Sequence, residues 1–217
     1  MLCPYCKEEV QDDAIKCKHC GSNIGTLPSQ TAASGQADFG ELFTASITVW
    51  KTNLSDVVIL TLIFMLVAWI PIANIGFIAG YTRSLMKVAR GQGRAQVADL
   101  FNAWDCFVNL LLYFILTLVA VIILGLIPFF GSLAAIALGF IVAPGLYAII
   151  DNKSGTIDAF KWSYESIQAN FVNWLLAYLV GNVIVCAGLI ALIIGIIFTA
   201  PLGALINIHQ YEKVKPS

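Results

Sequence analysis

The sequence predicts an all-α integral membrane protein, in which a small zinc ribbon precedes six transmembrane helices built from three helical-hairpin repeats. Of its 217 residues, 59% are hydrophobic and only 12% are charged, whereas an ordinary soluble domain carries about 25% charged residues. The stretches 57–82, 106–150 and 166–211 contain no charge at all. The last two are each long enough for two helical spans of about 20 residues, and backbone groups in lipid require helices.

The first module, residues 1–25, contains four cysteines spaced as C-x2-C-x10-C-x2-C: Cys3, Cys6, Cys17 and Cys20. Two cysteines two residues apart on a tight turn can aim both sulfurs at one ion, and two such turns make the tetrahedral sulfur site that zinc prefers. Two disulfides, or an iron or iron–sulfur site, would use the same residues. Because the module is predicted to lie in the reducing cytoplasm, zinc is favoured. His19 is a potential ligand, but four sulfurs already fill the tetrahedron.

The charge of this module bears on its partners. Residues 1–25 hold three lysines and four acidic residues, and a zinc ion with four thiolates adds about two further negative charges. Such a module lacks the basic footprint that phosphate backbones require, which argues against nucleic acid as a partner. We expect contacts with other proteins instead, and folding energy supplied by the metal.

Residues 26–37 are small and polar and are interpreted as a flexible linker. The membrane domain, residues 38–217, is predicted to contain three copies of one unit, at about 38–95, 96–155 and 156–214. The string ELF at Glu41–Phe43 recurs as DLF at Asp99–Phe101 and DAF at Asp158–Phe160, spaced by 58 and 59 residues. A fixed period with matched landmarks is typical of an internal repeat.

Each copy begins with a lead-in segment, followed by an asparagine that opens the apolar stretch: Asn53, Asn109 and Asn170. The lead-ins carry apolar residues three and four apart, which predicts helices with one apolar stripe. Two interpretations stay open for them. They lie in the headgroup region, or they extend the spanning helices into the cytoplasm. The predicted stripes are Phe39, Leu42, Phe43, Ile47 and Trp50; Val97, Leu100, Phe101 and Trp104; and Ile157, Phe160, Tyr164 and Ile167.

The distribution of basic residues predicts the orientation of the six spans. No lysine or arginine lies in the three predicted outside turns. Cytoplasmic N- and C-termini therefore place every basic residue on the cytoplasmic side, which positive residues favour. The second span is short in apolar residues, and Arg83 and Lys87 must reach toward the interface. The spans are placed at 54–71, 72–90, 107–128, 132–150, 171–189 and 192–211.

The polar residues within the predicted spans provide few candidates for a binding or catalytic site. A contact between Asp56 and Arg83 across the first hairpin is a hypothesis. The neutral residues Asn74, Thr82, Asn182, Thr199 and Asn207 are more typical of helix–helix contacts than of a substrate path, and Gly76 and Gly80 permit close helix approach. Cys106 and Cys186 are interpreted as small apolar fillers and His209 as structural. Pro144 and Pro201 break two helices at matched positions, which is a pointer to a midplane binding site.

The stretch CPYCKEEVQDDAIKCKHCGS resembles the short zinc ribbon that begins or ends many bacterial proteins. The membrane domain more loosely resembles the membrane domain attached to some glycerophosphoryl diester phosphodiesterases, through its acid-x-Phe lead-ins and its Gly- and Pro-containing helices. The resemblance implies a six-helix bundle and carries no catalytic residue. We expect the protein to lie in the bacterial cytoplasmic membrane.

No nucleophile elbow, HExxH, phosphate loop or pair of carboxylates is present in the sequence, which predicts no enzyme. The favoured function is a membrane scaffold or accessory protein, whose zinc ribbon is a cytosolic contact or regulatory module. The alternative is a transporter, channel or lipid-handling protein for a neutral or lipid substrate. The sequence names neither substrate nor partner.

Overall fold

The computed structural model describes residues 38–127, 131–190 and 192–215, which form an all-helical fold without a strand among them. The predicted zinc ribbon and linker lie outside these residues. Two short 3-10 helices, η1 (Val97–Phe101) and η2 (Trp104–Cys106), interrupt the order of α-helices. The α-helices are α1 (Phe39–Thr52), α2 (Leu54–Val67), α3 (Ala73–Ala89), α4 (Phe107–Gly125), α5 (Gly131–Asn152), α6 (Thr156–Ala169), α7 (Phe171–Ile190) and α8 (Leu192–Val214).

Three described segments are long and apolar enough to cross a membrane: Val97–Gly125, which includes both 3-10 turns, Leu133–Asn152 and Phe171–Leu189. A fourth is added if α1 and α2, which meet at 85° beside Asn53, count as one broken span. These helices identify the chain as a membrane protein, in agreement with its composition. The 85° bend also means that α1 does not continue the axis of α2, so the first lead-in is not a straight extension.

The helices form two sets. An inner set of α3, α5 and α8 makes mutual contacts, while α2 packs on α3 and α8, α4 packs on α5, and α7 packs on α8. Burial follows this division: ten of the 17 residues of α3 are buried, whereas Leu110 and Tyr113 are the buried residues of α4. Apolar residues on the outer helices therefore face outward, as expected for a protein whose solvent is lipid.

The lead-in segments connect these helices around the bundle. The 3-10 turns η1 and η2 pack on α3, α6 packs on α5, and α1 packs on α8. The second and third lead-ins thus pack on the inner helix of the hairpin that precedes them. The first lead-in, α1, has no preceding hairpin in the described chain and packs on the last helix, α8. The arrangement is a closed ring of contacts in which the first and last described helices touch.

Close backbone approach requires glycine at several of these contacts. A Cβ atom added to Gly80 of α3 would lie 2.5 Å from the carbonyl oxygen of Asp99 and 2.6 Å from the Cα atom of Leu100, both in η1. A Cβ atom on Gly203 of α8 would lie 2.8 Å from the carbonyl oxygen of Gly181 in α7. Small residues let membrane helices pack at short distances. The predicted role of Gly80 in close packing is seen here, against a 3-10 turn.

The structure corrects the prediction for the second lead-in and divides the predicted stripe of the third. The second lead-in is not an amphipathic α-helix, because its residues form η1 and η2 with a break at Asn102–Ala103. The third lead-in is the helix α6, in which Phe160 stacks on Tyr113 and Ile167 is buried, whereas Ile157 is 59% and Tyr164 is 53% exposed. The buried residues of α6 are small apart from Ile167: Thr156, Ala159, Ser163, Ser166 and Ile167.

The inner helix α3 ends in a turn that fixes the direction of the following loop. Gly91 has φ 66°, which is a left-handed conformation, and its N–H donates to the carbonyl of Val88 at 3.0 Å. The N–H of Gln92 donates to the carbonyl of Lys87 at 2.9 Å. This pair of bonds is the Schellman motif, which satisfies the last carbonyls of a helix. It directs the chain back across α3 into η1.

Candidate functional site: the charged end of the bundle

The C-terminal half of α3 carries Arg83 and Lys87, and Arg90 directly follows its last residue, so that three cations recur at helical spacing. Each of the three cations contacts an acidic residue from a different part of the chain. We call this region the charged end; it comprises these three cations with Asp99, Asp105, Asp151, Lys153, Glu212 and Lys215. It is the main concentration of ionic contacts in the described part of the chain.

Arg83 joins α3 to η2 and to the end of α5. Its Nη1 and Nη2 donate to the two carboxylate oxygens of Asp105 at 2.6 and 3.1 Å, and its Nε donates to the carbonyl of Ile150 at 2.9 Å. Lys153 also contacts Asp105, with Nζ 2.9 Å from Oδ2. A bidentate arginine–carboxylate pair is a strong and directional contact. The hypothesis that Arg83 pairs with Asp56 is therefore wrong, because its guanidinium is directed at Asp105.

Asp99 anchors η1 to α3 through one carboxylate oxygen. Its Oδ2 accepts from Ser84 Oγ at 2.7 Å, from Lys87 Nζ at 2.7 Å and from the backbone N–H of Gln96 at 3.2 Å. The Gln96 contact also satisfies a free N–H group at the start of η1. The acidic residue that the sequence flagged as a repeat landmark is thus the residue that binds the lead-in to α3.

Arg90 links the three inner helices at their C-terminal ends. Its Nη2 lies 2.6 Å from Oδ2 of Asp151 in α5, and its Nε donates to Oε1 of Glu212 in α8 at 2.8 Å. The hydroxyl of Tyr211 donates to the same Asp151 oxygen at 3.1 Å. Three helix C-termini bring partial negative charges together. A cation at their meeting point offsets that charge while it ties the helices to one another.

A small cavity of about 120 Å³ opens beside this network, between α3 and the 3-10 turns. Its walls are the described residues Arg83, Ser84, Lys87, Asp99, Asn102 and Ala103. The cavity therefore lies at the charged end rather than among the apolar spans. None of the span residues Asn182, Thr199 and Asn207 lines it.

A second polar contact joins α1 to α8. Nδ1 of His209 lies 3.1 Å from Oγ of Ser46 and 2.8 Å from the carbonyl oxygen of Leu205. Because that carbonyl can only accept, Nδ1 carries the proton, while the Ser46 hydroxyl donates to the carbonyl of Leu42. Ser46 is fully buried, and its proton is directed away from the imidazole. The pair is therefore a packing contact and not an activated nucleophile, in line with the structural role expected for His209.

The same helix pair carries one ionic feature outside the spans. Burial lowers the pKa of Lys213, near the end of α8, while the carboxylates of Glu41 and Asp38 at the start of α1 oppose that change. The beginning of α1 and the end of α8 are thus electrostatically complementary.

The prediction that Pro144 and Pro201 break two helices is wrong, because α5 and α8 each continue through their proline. Near both prolines, side chains of neighbouring elements bond to backbone carbonyl groups. At Pro144 in α5, Ser163 donates to the carbonyl of Ile141 at 2.6 Å and Tyr113 donates to that of Val142 at 2.6 Å. Three residues before Pro201 in α8, the indole N–H of Trp50 donates to the carbonyl of Phe198 at 3.0 Å. These hydrogen bonds occupy backbone carbonyl groups that a binding site at the middle of the membrane would need to bind its ligand.

The neutral polar residues in the spans bond mainly to their own helices. The side chains of Asn182, Thr199 and Asn207 donate to the carbonyls of Tyr178, Gly195 and Gly203, each four residues earlier. Thr82 is buried, and Asn74 Oδ1 is a buried acceptor with no partner among the described atoms. These residues do not converge on a common polar site.

The two cysteines of the membrane domain differ in environment. Cys106 is buried beside Ala103 and Leu110, as a small apolar filler would be. Cys186 is exposed on α7, so the same interpretation does not apply to it.

Cys3, Cys6, Cys17 and Cys20 lie outside the described residues, and their arrangement stays a prediction. Within residues 38–127, 131–190 and 192–215, no three histidine, cysteine or acidic side chains are grouped to hold a metal ion. The acidic partners of Arg83, Lys87 and Arg90 were missed by the sequence reasoning. The available signal was the position of acids at the edges of two charge-free stretches, since Asp105 and Asp151 border 106–150 and Glu212 follows 166–211.

Comparison of the chain with protein-family models, with curated proteins and with solved structures gives no match.

Proposed function

We propose that the chain is a six-span scaffold or accessory protein of the bacterial cytoplasmic membrane, with its zinc ribbon in the cytoplasm as a contact or regulatory module. The observation that carries this proposal is the charged end, where Arg90 joins Asp151 and Glu212 from the other two inner helices. A bundle tied shut at one end, whose polar span residues bond to their own backbone, is suited to a constant shape rather than to passage of a solute.

The six-span arrangement is supported by the exposure of the outer helices. Helix α4 exposes a nearly continuous apolar surface, and Trp69 and Ile72, beside the α2–α3 turn, are 87% and 69% exposed. Tryptophan is enriched at membrane–water interfaces. The exposed apolar residues of α4 are Val108, Leu112, Ile115, Leu116, Leu118, Val119, Ile122 and Ile123.

The three-repeat organisation is supported by the ring of contacts. Each acid-x-Phe lead-in rests on an inner helix, and its middle residue is buried in every copy: Leu42, Leu100 and Ala159 are each no more than 1% exposed. A repeated unit that buries its apolar residues only against its neighbours requires such stacking.

The orientation can be tested with single cysteines in a variant in which all six native cysteines, including the four of the ribbon, are replaced by serine. A cysteine at Gln92, beside the charged end, is expected to react with a membrane-impermeant maleimide only after the cells are opened. A cysteine at Trp69 is expected to react in intact cells. The reverse pattern would overturn the proposed topology.

The contact role of the ribbon can be tested by identifying proteins that co-purify with the tagged full-length chain in mild detergent. We expect a Cys17→Ser, Cys20→Ser variant to lose partners that the wild-type chain retains. Cys186→Ser is the matched control because it removes an exposed thiol elsewhere. If all three proteins retain the same partners at equal abundance, the ribbon is not the contact module.

A transporter or lipid-handling protein is the second candidate, and the prolines at matched positions inside two inner helices, Pro144 and Pro201, favour it. This candidate requires water to reach the helix segments around these prolines. A cysteine at Thr199 that reacts with a water-soluble maleimide as fast as one at Gln92 would support transport. Protection of that cysteine would support the scaffold.

A further inference from the structure

The cavity at the charged end has the size and chemistry of a small anion site. Its volume of about 120 Å³ far exceeds the 10–15 Å³ or so that one water molecule needs, so it can hold a group of several heavy atoms. Its walls carry two cations, a hydroxyl and an amide, from Arg83, Lys87, Ser84 and Asn102. The remaining wall residues are Asp99 and Ala103.

The ionic groups around the cavity leave one positive charge uncompensated. Arg83, Lys87 and Lys153 face Asp99 and Asp105 in three ion pairs, so three cations share two carboxylates. Lys87 makes one described hydrogen bond, to Asp99, although an ammonium group has three donors. Arg83 uses three of its five N–H groups on Asp105 and Ile150. Donors and positive charge therefore stay available to an incoming anion.

Apolar surface adjoins the cavity on the outward side. Phe101 is 48% and Trp104 is 43% exposed, and these residues flank Asn102 and Ala103 in the chain. Tryptophan side chains such as that of Trp104 are enriched at the headgroup level of bilayers. The phosphate group of a lipid could thus lie in the charged cavity while its acyl chains contact the apolar surface beside it.

We propose that the cavity lined by Arg83, Lys87 and Asn102 binds a phosphate group, either that of an anionic membrane lipid or free phosphate. The lipid source rests on the proposed membrane location, whereas binding of free phosphate does not. In the bound state, Lys87 and Arg83 direct their remaining N–H donors at the phosphate oxygens, and the Asn102 amide closes the exposed side. Arginine and lysine are the residues that recognise phosphate most strongly.

The test uses purified full-length protein in neutral detergent and three proteins: wild type, Asn102→Asp and Asn152→Asp. Asn102 is exposed and its side chain makes no hydrogen bond among the described residues, so its replacement adds a negative charge without breaking a contact. Asn152 is also exposed at the end of α5 but does not line the cavity, which makes it the matched control. Thermal melting confirms that all three proteins are folded alike.

Native mass spectrometry then measures retention of phosphatidylglycerol and phosphatidylcholine, and equilibrium dialysis measures binding of labelled inorganic phosphate. We expect the wild type to favour phosphatidylglycerol over phosphatidylcholine. Asn102→Asp should lower the affinity for phosphatidylglycerol at least about fivefold, because the new carboxylate repels the phosphate group. Asn152→Asp should stay within about twofold of wild type.

The phosphate arm separates the two sources. One outcome is that inorganic phosphate binds to the wild type, binds more weakly to Asn102→Asp and is displaced by phosphatidylglycerol. This outcome identifies a lipid headgroup site. The same phosphate binding without displacement by phosphatidylglycerol identifies a free-phosphate site. That conclusion holds whether or not the chain spans a membrane. Equal loss in Asn102→Asp and Asn152→Asp, or no phosphate binding together with no preference for phosphatidylglycerol, overturns the proposal.

Discussion

The hydroxyl of Ser163 completes the backbone hydrogen bonding of α5 at Gly145. It accepts from the N–H of Gly145 at 3.0 Å and donates to the carbonyl of Ile141 at 2.6 Å. These two backbone groups are four residues apart and would bond to each other in an unbroken helix. The Ser163 hydroxyl of α6 therefore bonds to both groups beside Pro144, and α5 continues through the proline as one helix.

Replacing this hydroxyl should therefore destabilise the bundle. Ser163→Ala leaves a buried N–H and a buried carbonyl without a partner, which costs about 1–2 kcal/mol in a membrane protein. We expect a lower midpoint of thermal unfolding in detergent. Ser55→Ala, at an exposed serine of α2, is the control and should melt as the wild type does. Equal midpoints for all three proteins would show that the inserted hydroxyl is not needed.

The contact of Arg90 with two acids predicts a large and non-additive effect of its removal. Arg90→Met removes the cation shared by Asp151 and Glu212, whose side chains are 14% and 19% exposed, and leaves Glu212 with Lys215 alone. Breaking such a partly buried pair costs about 2–4 kcal/mol. We expect Lys161→Met, which removes an exposed cation from α6, to have little effect.

A double-mutant cycle isolates this contact. The change in unfolding free energy of Arg90→Met with Glu212→Gln should fall short of the sum of the single changes by roughly 1–2 kcal/mol. Denaturation in mixed micelles measures it. Additive effects would mean that Arg90 and Glu212 do not stabilise each other.

Close packing of α3 on η1 predicts intolerance to a single methyl group. In Gly80→Ala the new Cβ would meet backbone atoms of Asp99 and Leu100, which cannot rotate away. Overpacking of this kind costs about 1–3 kcal/mol, and we expect reduced yield and a lower melting temperature. At Gly125 an added Cβ meets nothing within 4 Å, so Gly125→Ala should be neutral or slightly stabilising through helix propensity. A Gly80→Ala protein as stable as Gly125→Ala would contradict the packing.

The cysteine spacing predicts about one zinc ion per chain. Metal analysis of the purified full-length protein should find it, and Cys17→Ser with Cys20→Ser should abolish it, because two sulfurs do not complete a tetrahedron. Cys106 and Cys186 lie in the helical domain, so a double serine variant of these two should keep the metal. Metal content that is unchanged by the first pair, or lost with the second, would refute the assignment of ligands.

Helix positions were accessible to sequence reasoning because membrane spans are marked by the absence of charge. The fifth span was placed at 171–189, within a charge-free stretch, and a helix is observed there at Phe171–Ile190. The predicted start of the first span after Asn53 is also observed, since α1 ends at Thr52 and α2 begins at Leu54. These boundaries depend on local composition, which the chain displays directly.

Side-chain partners were less accessible, because they depend on how distant segments meet. Arg83 was paired with Asp56 on the basis of a hairpin, whereas it contacts Asp105, 22 residues later in the chain. The second lead-in has the helical spacing of apolar residues, yet it forms 3-10 turns. Its tight approach to Gly80 and the capping of η1 by Asp99 set a conformation that periodicity does not encode.

The contact between α1 and α8 has a consequence for biosynthesis. Ser46 and His209 are separated by 163 positions, and at a synthesis rate of about 5–20 residues per second α1 waits on the order of 10 s for its partner. During that interval Leu42 and Ser46 have no α8 to cover them. An insertase, a chaperone or the bilayer surface must shelter the first helix until the last one arrives. A nascent chain arrested before α8 should thus be degraded much faster than the finished protein.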